Sequence, residues 1–314
     1  MCSSKPMNSQ TKEAQAYAPA VKGMSAKLRV LILALFCALP FVFAWNSTRV
    51  LVTLIVTNDT FSQIPIIVLV SLFLVWTERK RVFSEISSDW TLGCPLVLAG
   101  TLAVIVSSLG WLQLSAHNQS CLFALGIVLF WLGAFLLFLG RSAFSAARFS
   151  LLFLIFAIPI PEPLLSKIIY SLQMGSADIA ELLYKISGVP YLRQGFVFVL
   201  PGVSIRVAEE CSGIRSSMAL LVTTVLAAHL FLKTTWKQVF LCVLAVPLAI
   251  IKNGVRIMAL STLAIYVNPD FLYGNLHHHG GIVFFLLGLM LMVLFLVLLQ
   301  KTEKSRTHAA SVQT

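Results

Sequence analysis

From position 28 onward the chain alternates long apolar runs with short polar breaks, and the runs have the length that a bilayer sets. They cover 28–45, 61–77, 93–113, 121–140, 148–160, 211–232, 238–267 and 281–300. A hydrocarbon core roughly 30 Å thick takes a helix of about 20 apolar residues, so the pattern predicts an all-α, polytopic transmembrane helical bundle of about eight spans. The fifth run is short. It ends in Ile158-Pro159-Ile160-Pro161-Glu162-Pro163, where each proline lacks an N–H and clashes with the preceding turn. A polar N-terminal tail, 1–27, and a basic C-terminal tail, 301–314, flank one membrane region at 28–300.

The longest break, 161–210, is not featureless. Apolar residues recur at helical spacing over Leu164–Ile186, and alternation of the strand type follows in Phe196–Leu200 and Val203–Val207. This pattern predicts a membrane-hugging cap between spans five and six.

Composition agrees with the spans. The chain is 58% hydrophobic and 11% charged, against roughly 25% charged in a soluble domain. The net charge of +11 would suggest a nucleic-acid partner if it lay on a soluble face. Instead most of the basic residues lie in short flanks of the apolar runs: Lys22, Lys27 and Arg29; Arg79, Lys80 and Arg81; Arg141 and Arg148; Lys233 and Lys237; Lys301, Lys304 and Arg306. That distribution follows the positive-inside rule. It predicts an N-in, C-in chain with the cap and the segments 46–60, 114–120 and 268–280 outside, and the lipid bilayer rather than nucleic acid as the surrounding partner. The six cysteines show no CxxC, no paired metal spacing and no disulfide framework. Residues 1–21 lack the apolar core and cleavage site of a signal peptide, so the first run is expected to stay as an anchor.

Three polar stretches interrupt the apolar pattern. One is Glu209-Glu210-Cys211-Ser212-Gly213-Ile214-Arg215-Ser216-Ser217, at the outer start of the sixth span. Another is Lys252-Asn253-Gly254-Val255-Arg256, within the seventh, and the last is Asn275-Leu276-His277-His278-His279, before the eighth. Arg256 follows Lys237 by 19 residues, about 28 Å up a helix that starts on the inner side. All three stretches therefore fall at one depth, near the outer leaflet. Singly each has a plain reading: a packed thiol, a snorkelling arginine, a solvated histidine loop. Lys252 and Arg256 share a helical face, and burying each costs about 2.5–3.5 kcal/mol on insertion scales, which points to function.

Together they suit acyl transfer. A thiolate at Cys211 attacks an amide carbonyl, once a neighbouring base or cation has activated a thiol whose ordinary pKa is about 8.5. His277 or His278 can take the thiol proton and return it to the leaving amine. Arg256 stays protonated and can hold an oxyanion or the substrate backbone. Arg215, four residues from Cys211, can favour the thiolate or position substrate. Nothing in the pattern calls for a metal or an organic cofactor.

The residues also carry a family resemblance. Val207–Ser216, with its Cys211-Ser212-Gly213-Ile214-Arg215 core, resembles the nucleophile motif of the exosortase/archaeosortase family. Asn253 to Arg256 is similar to its Asn-x-x-Arg motif, and His277 with Gly281 to its His-x-x-x-Gly motif. Phe153–Pro161 resembles the proline-rich end of its central helix. The family often has Ser-His in its first outer loop; here Gln63 follows Ser62. The resemblance spans 28–300 and implies a cysteine peptidase or transpeptidase of a prokaryotic cytoplasmic membrane, working at the outer leaflet. Its substrates would be exported proteins with a C-terminal sorting signal: a short motif, often Pro-Glu-Pro, then a span and a basic tail. The bacterial branch is associated with exopolysaccharide producers. Cys211 would be nucleophile, Arg256 the clamp and His277 the acid/base, with His278 the alternative base; Ser212, Gly213, Arg215 and Asn253 would support them.

Two other readings compete. An intramembrane Glu-dependent protease needs Glu-Glu-x-x-x-Arg, but here four residues separate Glu210 from Arg215, turning the arginine about 100° away. A transporter or assembly factor for envelope polymer could line an anion path with Arg215, Lys252 and Arg256; no internal repeat of the transporter type is visible.

Overall fold

The computed structural model describes residues 25–58, 61–207, 213–268 and 281–312. Cys211, Ser212, His277 and His278 lie outside them. The chain divides into two compact units, 1–162 and 163–314.

The first unit holds α1 (Ala26–Phe43), α2 (Trp45–Thr57), α3 (Ile64–Thr77), the single turn α4 (Arg79–Val82), α5 (Trp90–Leu109), α6 (Ala116–Ala146) and α7 (Arg148–Phe153). The last tightens into a 3-10 turn at Leu154–Ala157, just ahead of the prolines. Helix α2 lies where the apolar pattern puts an outer loop, 46–60, and it meets α1 at an angle of 91°. Its Leu51, Leu54 and Ile55 sit at helical spacing and join Phe61, Phe123 and Ile127 in one cluster, so packing makes it a helix. Helix α5 is started by Asp89, whose carboxylate accepts from the backbone N–H of Thr91 and Leu92.

Helices α5 and α6 touch through glycine. A Cβ on Gly100 would lie 2.5 Å from the Phe130 nitrogen, and one on Gly133 would lie 2.6 Å from that of Val97. Cβ atoms on Gly93 and Gly126 would come within 2.7 and 2.9 Å of the partner helix. Lipid gives no hydrophobic drive between helices, and small residues let backbones approach until dispersion holds them.

The second unit opens with α8 (Glu162–Ser187), followed by β1 (Leu192–Gln194), β2 (Val197–Leu200) and β3 (Val203–Arg206), then α9 (Ile214–Phe231), α10 (Thr235–Tyr266) and α11 (Gly281–Val312). The strands form an antiparallel sheet in the order β1-β2-β3. One face of it, with Phe196, Phe198, Leu200, Val203, Ile205 and Val207, packs with Ala177, Ala180 and Tyr184 of α8 and Ile257 of α10. Arg193 of β1 bridges Asp178 and Glu181 on α8 at 2.8 and 2.6 Å. Helices α9, α10 and α11 share a core of Leu220, Ala228, Leu241, Leu248, Met292 and Leu296.

Polar contacts mark the two ends of that three-helix layer. At one, the Glu303 carboxylate accepts from the backbone N–H of Lys233 and Thr234. There too Lys237 Nζ donates to Leu299 O and Thr302 Oγ1, and Gln300 Nε2 to Phe231 O. At the other lie the first turn of α9, the Lys252 turn of α10 and Gly288 of α11. Helices α9 and α11 therefore run together and α10 runs against them.

The chain is a multi-pass membrane protein of helical fold. Among the described residues five helices are long and apolar enough to cross a bilayer, or up to seven if each of two bent helix pairs makes one crossing. The apolar pattern's count of about eight treats α3, of 14 residues, as a crossing of its own.

Candidate functional site

The segment that carries Cys211 is held on both sides by described residues. On the N-terminal side Val207 is buried; its N–H donates to Phe196 O at 2.8 Å, and its carbonyl accepts from Gln173 Nε2 of α8 at 3.0 Å. On the C-terminal side Gly213 turns into α9 with φ 72° and ψ 19°, the left-handed region that glycine enters without steric cost. A Cβ there would also come within 3.0 Å of Asn253 Oδ1 and 3.1 Å of its Cγ. Five residues, 208–212, bridge the two anchors.

Three consecutive residues of α10 make the second half of this arrangement, each against a different element. Lys252, 2% exposed, donates from Nζ to Ser216 Oγ in the first turn of α9. Ser216 Oγ in turn donates to Gly213 O at 3.0 Å. The lysine stem passes α11 at Gly288, where a Cβ would lie 3.1 Å from Lys252 Cδ. Asn253, 1% exposed, donates from Nδ2 to Ser176 Oγ of α8 at 3.1 Å. Gly254 admits α8 so closely that a Cβ would meet Ile179 Cγ2 at 2.5 Å and Ser176 O at 3.1 Å. The Lys-Asn-Gly run is thus a joint at which α8, α9 and α11 close on α10.

Arg256 stands one turn beyond Lys252 and is half-buried; Arg215, in the first turn of α9, is exposed. The structure therefore gathers Gly213, Ser216, Lys252, Asn253 and Arg256 at one end of one unit. The N-terminus of α9 adds the partial positive charge of its backbone N–H groups. Lys252 is bonded into that first turn, and Arg215 lies within it.

The sequence pattern marks Ser216 only as part of the polar stretch 209–217, and it does not mark Gln173, Ser176 or Gly288 as site residues. Gln173 and Ser176 are buried polar positions three apart on an otherwise amphipathic α8, which is the one trace they leave in the pattern.

No curated protein and no solved structure matches the chain. The family description that does match is transmembrane exosortase, over residues 55–294. That stretch begins inside α2, ends inside α11 and takes in all of the joint around Lys252, and with most of its length matched the chain belongs to the transmembrane exosortase family.

Proposed function

We propose that the chain is a cysteine peptidase or transpeptidase that cuts exported proteins near a C-terminal sorting signal, at the outer face of a prokaryotic cytoplasmic membrane. The observation that carries this reading is the meeting of the Gly213–Ser216 turn with Lys252 and Asn253, one helical turn before Arg256. Cys211 is two residues from Gly213, so chain reach alone holds it within about 7 Å of that turn.

In the proposed reaction His277, or His278 in its place, takes the Cys211 proton. The thiolate adds to the scissile carbonyl, and the oxyanion so formed is held by the Arg256 guanidinium, which remains charged throughout. Collapse breaks the C–N bond, the histidine returns its proton to the leaving amine, and a thioester remains on Cys211. Water or an acceptor nucleophile then releases the acyl group and restores the thiol. Arg215 and the α9 N-terminus favour the thiolate. The basic end at Lys233, Lys237 and Lys301 is assigned to the cytoplasm, N-in and C-in.

The test is an in-cell processing assay with a secreted reporter ending in a Pro-Glu-Pro segment, an apolar span and a basic tail. Wild type is expected to yield a shortened product, and Cys211→Ala, Arg256→Ala and one of His277→Ala or His278→Ala to abolish it. Processing that survives Cys211→Ala removes the nucleophile assignment, and no shortened product even with wild type overturns the peptidase reading for this signal.

A further inference from the structure

Strand β3 is an edge of the sheet, and among the described residues no strand pairs with its outer side. Its register against β2 pairs Val197 with Arg206, Phe198 with Ile205, Val199 with Ser204 and Leu200 with Val203. The Val207 N–H donates to Phe196 O, which fixes the phase of the ladder. Alternate pairs of an antiparallel ladder exchange hydrogen bonds, so Val203, Ile205 and Val207 bond to β2. Ser204 and Arg206 turn their N–H and C=O groups the other way. No backbone group among the described residues bonds them there, and both side chains are exposed. Arg206 has no ion pair among the described residues.

An open edge of this kind cannot face lipid, where every unpaired backbone group costs several kcal/mol. It belongs at an aqueous face. In water it is a template for another strand. The outward groups of Ser204 and Arg206 repeat every second residue, about 6.8 Å apart, which only an extended main chain matches. The exposed guanidinium adds a preference for a carboxylate on that chain. Cys211 follows Arg206 by five residues, at most about 18 Å of chain, so the edge lies within that reach of the proposed nucleophile.

We infer that β3 is the substrate-docking strand: an extended, acidic segment of the substrate polypeptide pairs with its open edge through Ser204 and Arg206, and a substrate carboxylate meets the Arg206 side chain. The inference rests on the peptidase reading for the identity of the occupant. It assigns affinity to main-chain pairing and selectivity to one charge, as in other strand-addition modes of recognition.

Photo-crosslinking of the full chain in intact membranes tests it apart from the chemistry. A benzoyl-phenylalanine is placed at Ser204, or as a control at Leu192 on the opposite edge, in the Cys211→Ala background, with the same Pro-Glu-Pro reporter. Crosslinking from position 204, mapped to the reporter segment ahead of its span, is the expected result, with little from position 192. Arg206→Glu should lower it about ten-fold, and replacing the reporter's glutamate by lysine should restore it. In the chain with its cysteine intact, Ser204→Pro removes the outward N–H and leaves the ladder bonds of Val203 and Ile205 to β2, and it should slow processing. Absence of the crosslink at 204, equal crosslinking at 192, or indifference to Arg206→Glu overturns the docking strand. A chain that crosslinks as expected while Cys211→Ala still processes keeps the docking strand and loses the nucleophile instead.

Discussion

Gly213 carries two constraints that an alanine breaks together. Its φ of 72° costs an L-residue roughly 1–2 kcal/mol, and the added methyl would press on Asn253. Gly213→Ala is therefore expected to fold with a modest loss of thermal stability and to lose most of its processing. Gly110→Ala separates the two effects: that glycine has φ 67° with open space around it, so stability should fall and processing should not. Lys252 makes a different residue-scale case. Replacing a buried cation by an apolar side chain of similar length removes a cost, but it also removes the donor that holds Ser216 and, through it, the Gly213 carbonyl. Lys252→Met should keep thermal stability to within about 1 kcal/mol and reduce processing. Lys252→Arg should not rescue it, because the stem runs against Gly288 and a planar fork needs more room than an ammonium.

At the scale of elements, legibility followed the length of the apolar run. The expected spans 211–232 and 238–267 are close to α9 (Ile214–Phe231) and α10 (Thr235–Tyr266), because a bilayer fixes both their length and their composition. Helix α2 was missed since its residues, among them Val50, Val52, Ile55 and Val56, are too few to span and too β-branched to advertise a helix. Strand β1 was missed because three residues show no alternation, while β2 and β3 lay where Phe196–Leu200 and Val203–Val207 alternate. Contacts across elements left almost no trace: the Ser216 to Lys252 bond joins residues 36 apart. The glycines of α5 and α6 are an intermediate case, visible as Gly93 and Gly100 against Gly126 and Gly133, each pair seven apart, once the helices are known to touch. A leucine at Gly100 would collide with the Phe130 backbone, and overpacking of that sort costs about 1–3 kcal/mol or more. Gly100→Leu is expected to lower the unfolding temperature of the detergent-solubilised protein well below that of Leu98→Ala, whose side chain is 69% exposed.

For the molecule as a whole, the two ends of the α9–α11 layer decide which side of the membrane does the work. The end with Glu303, Lys237 and Thr302 carries the basic flanks Lys233 and Lys301, and the positive-inside rule assigns such an end to the cytoplasm. The Gly213–Lys252 joint stands at the opposite end, about 22 Å along α10 from Lys237, so it should face outward, where an exported protein still tethered by its own span would meet it. Single-cysteine labelling turns this into an outcome. With Cys2, Cys37, Cys94, Cys121 and Cys242 replaced, a membrane-impermeant maleimide added to intact cells should modify Cys211. In a chain carrying Thr302→Cys as its one cysteine, labelling should require permeabilisation. The reverse pattern would put the basic end outside and the joint on the cytoplasmic face, out of reach of substrates that have already crossed, and the sorting-signal reading would fall with the topology.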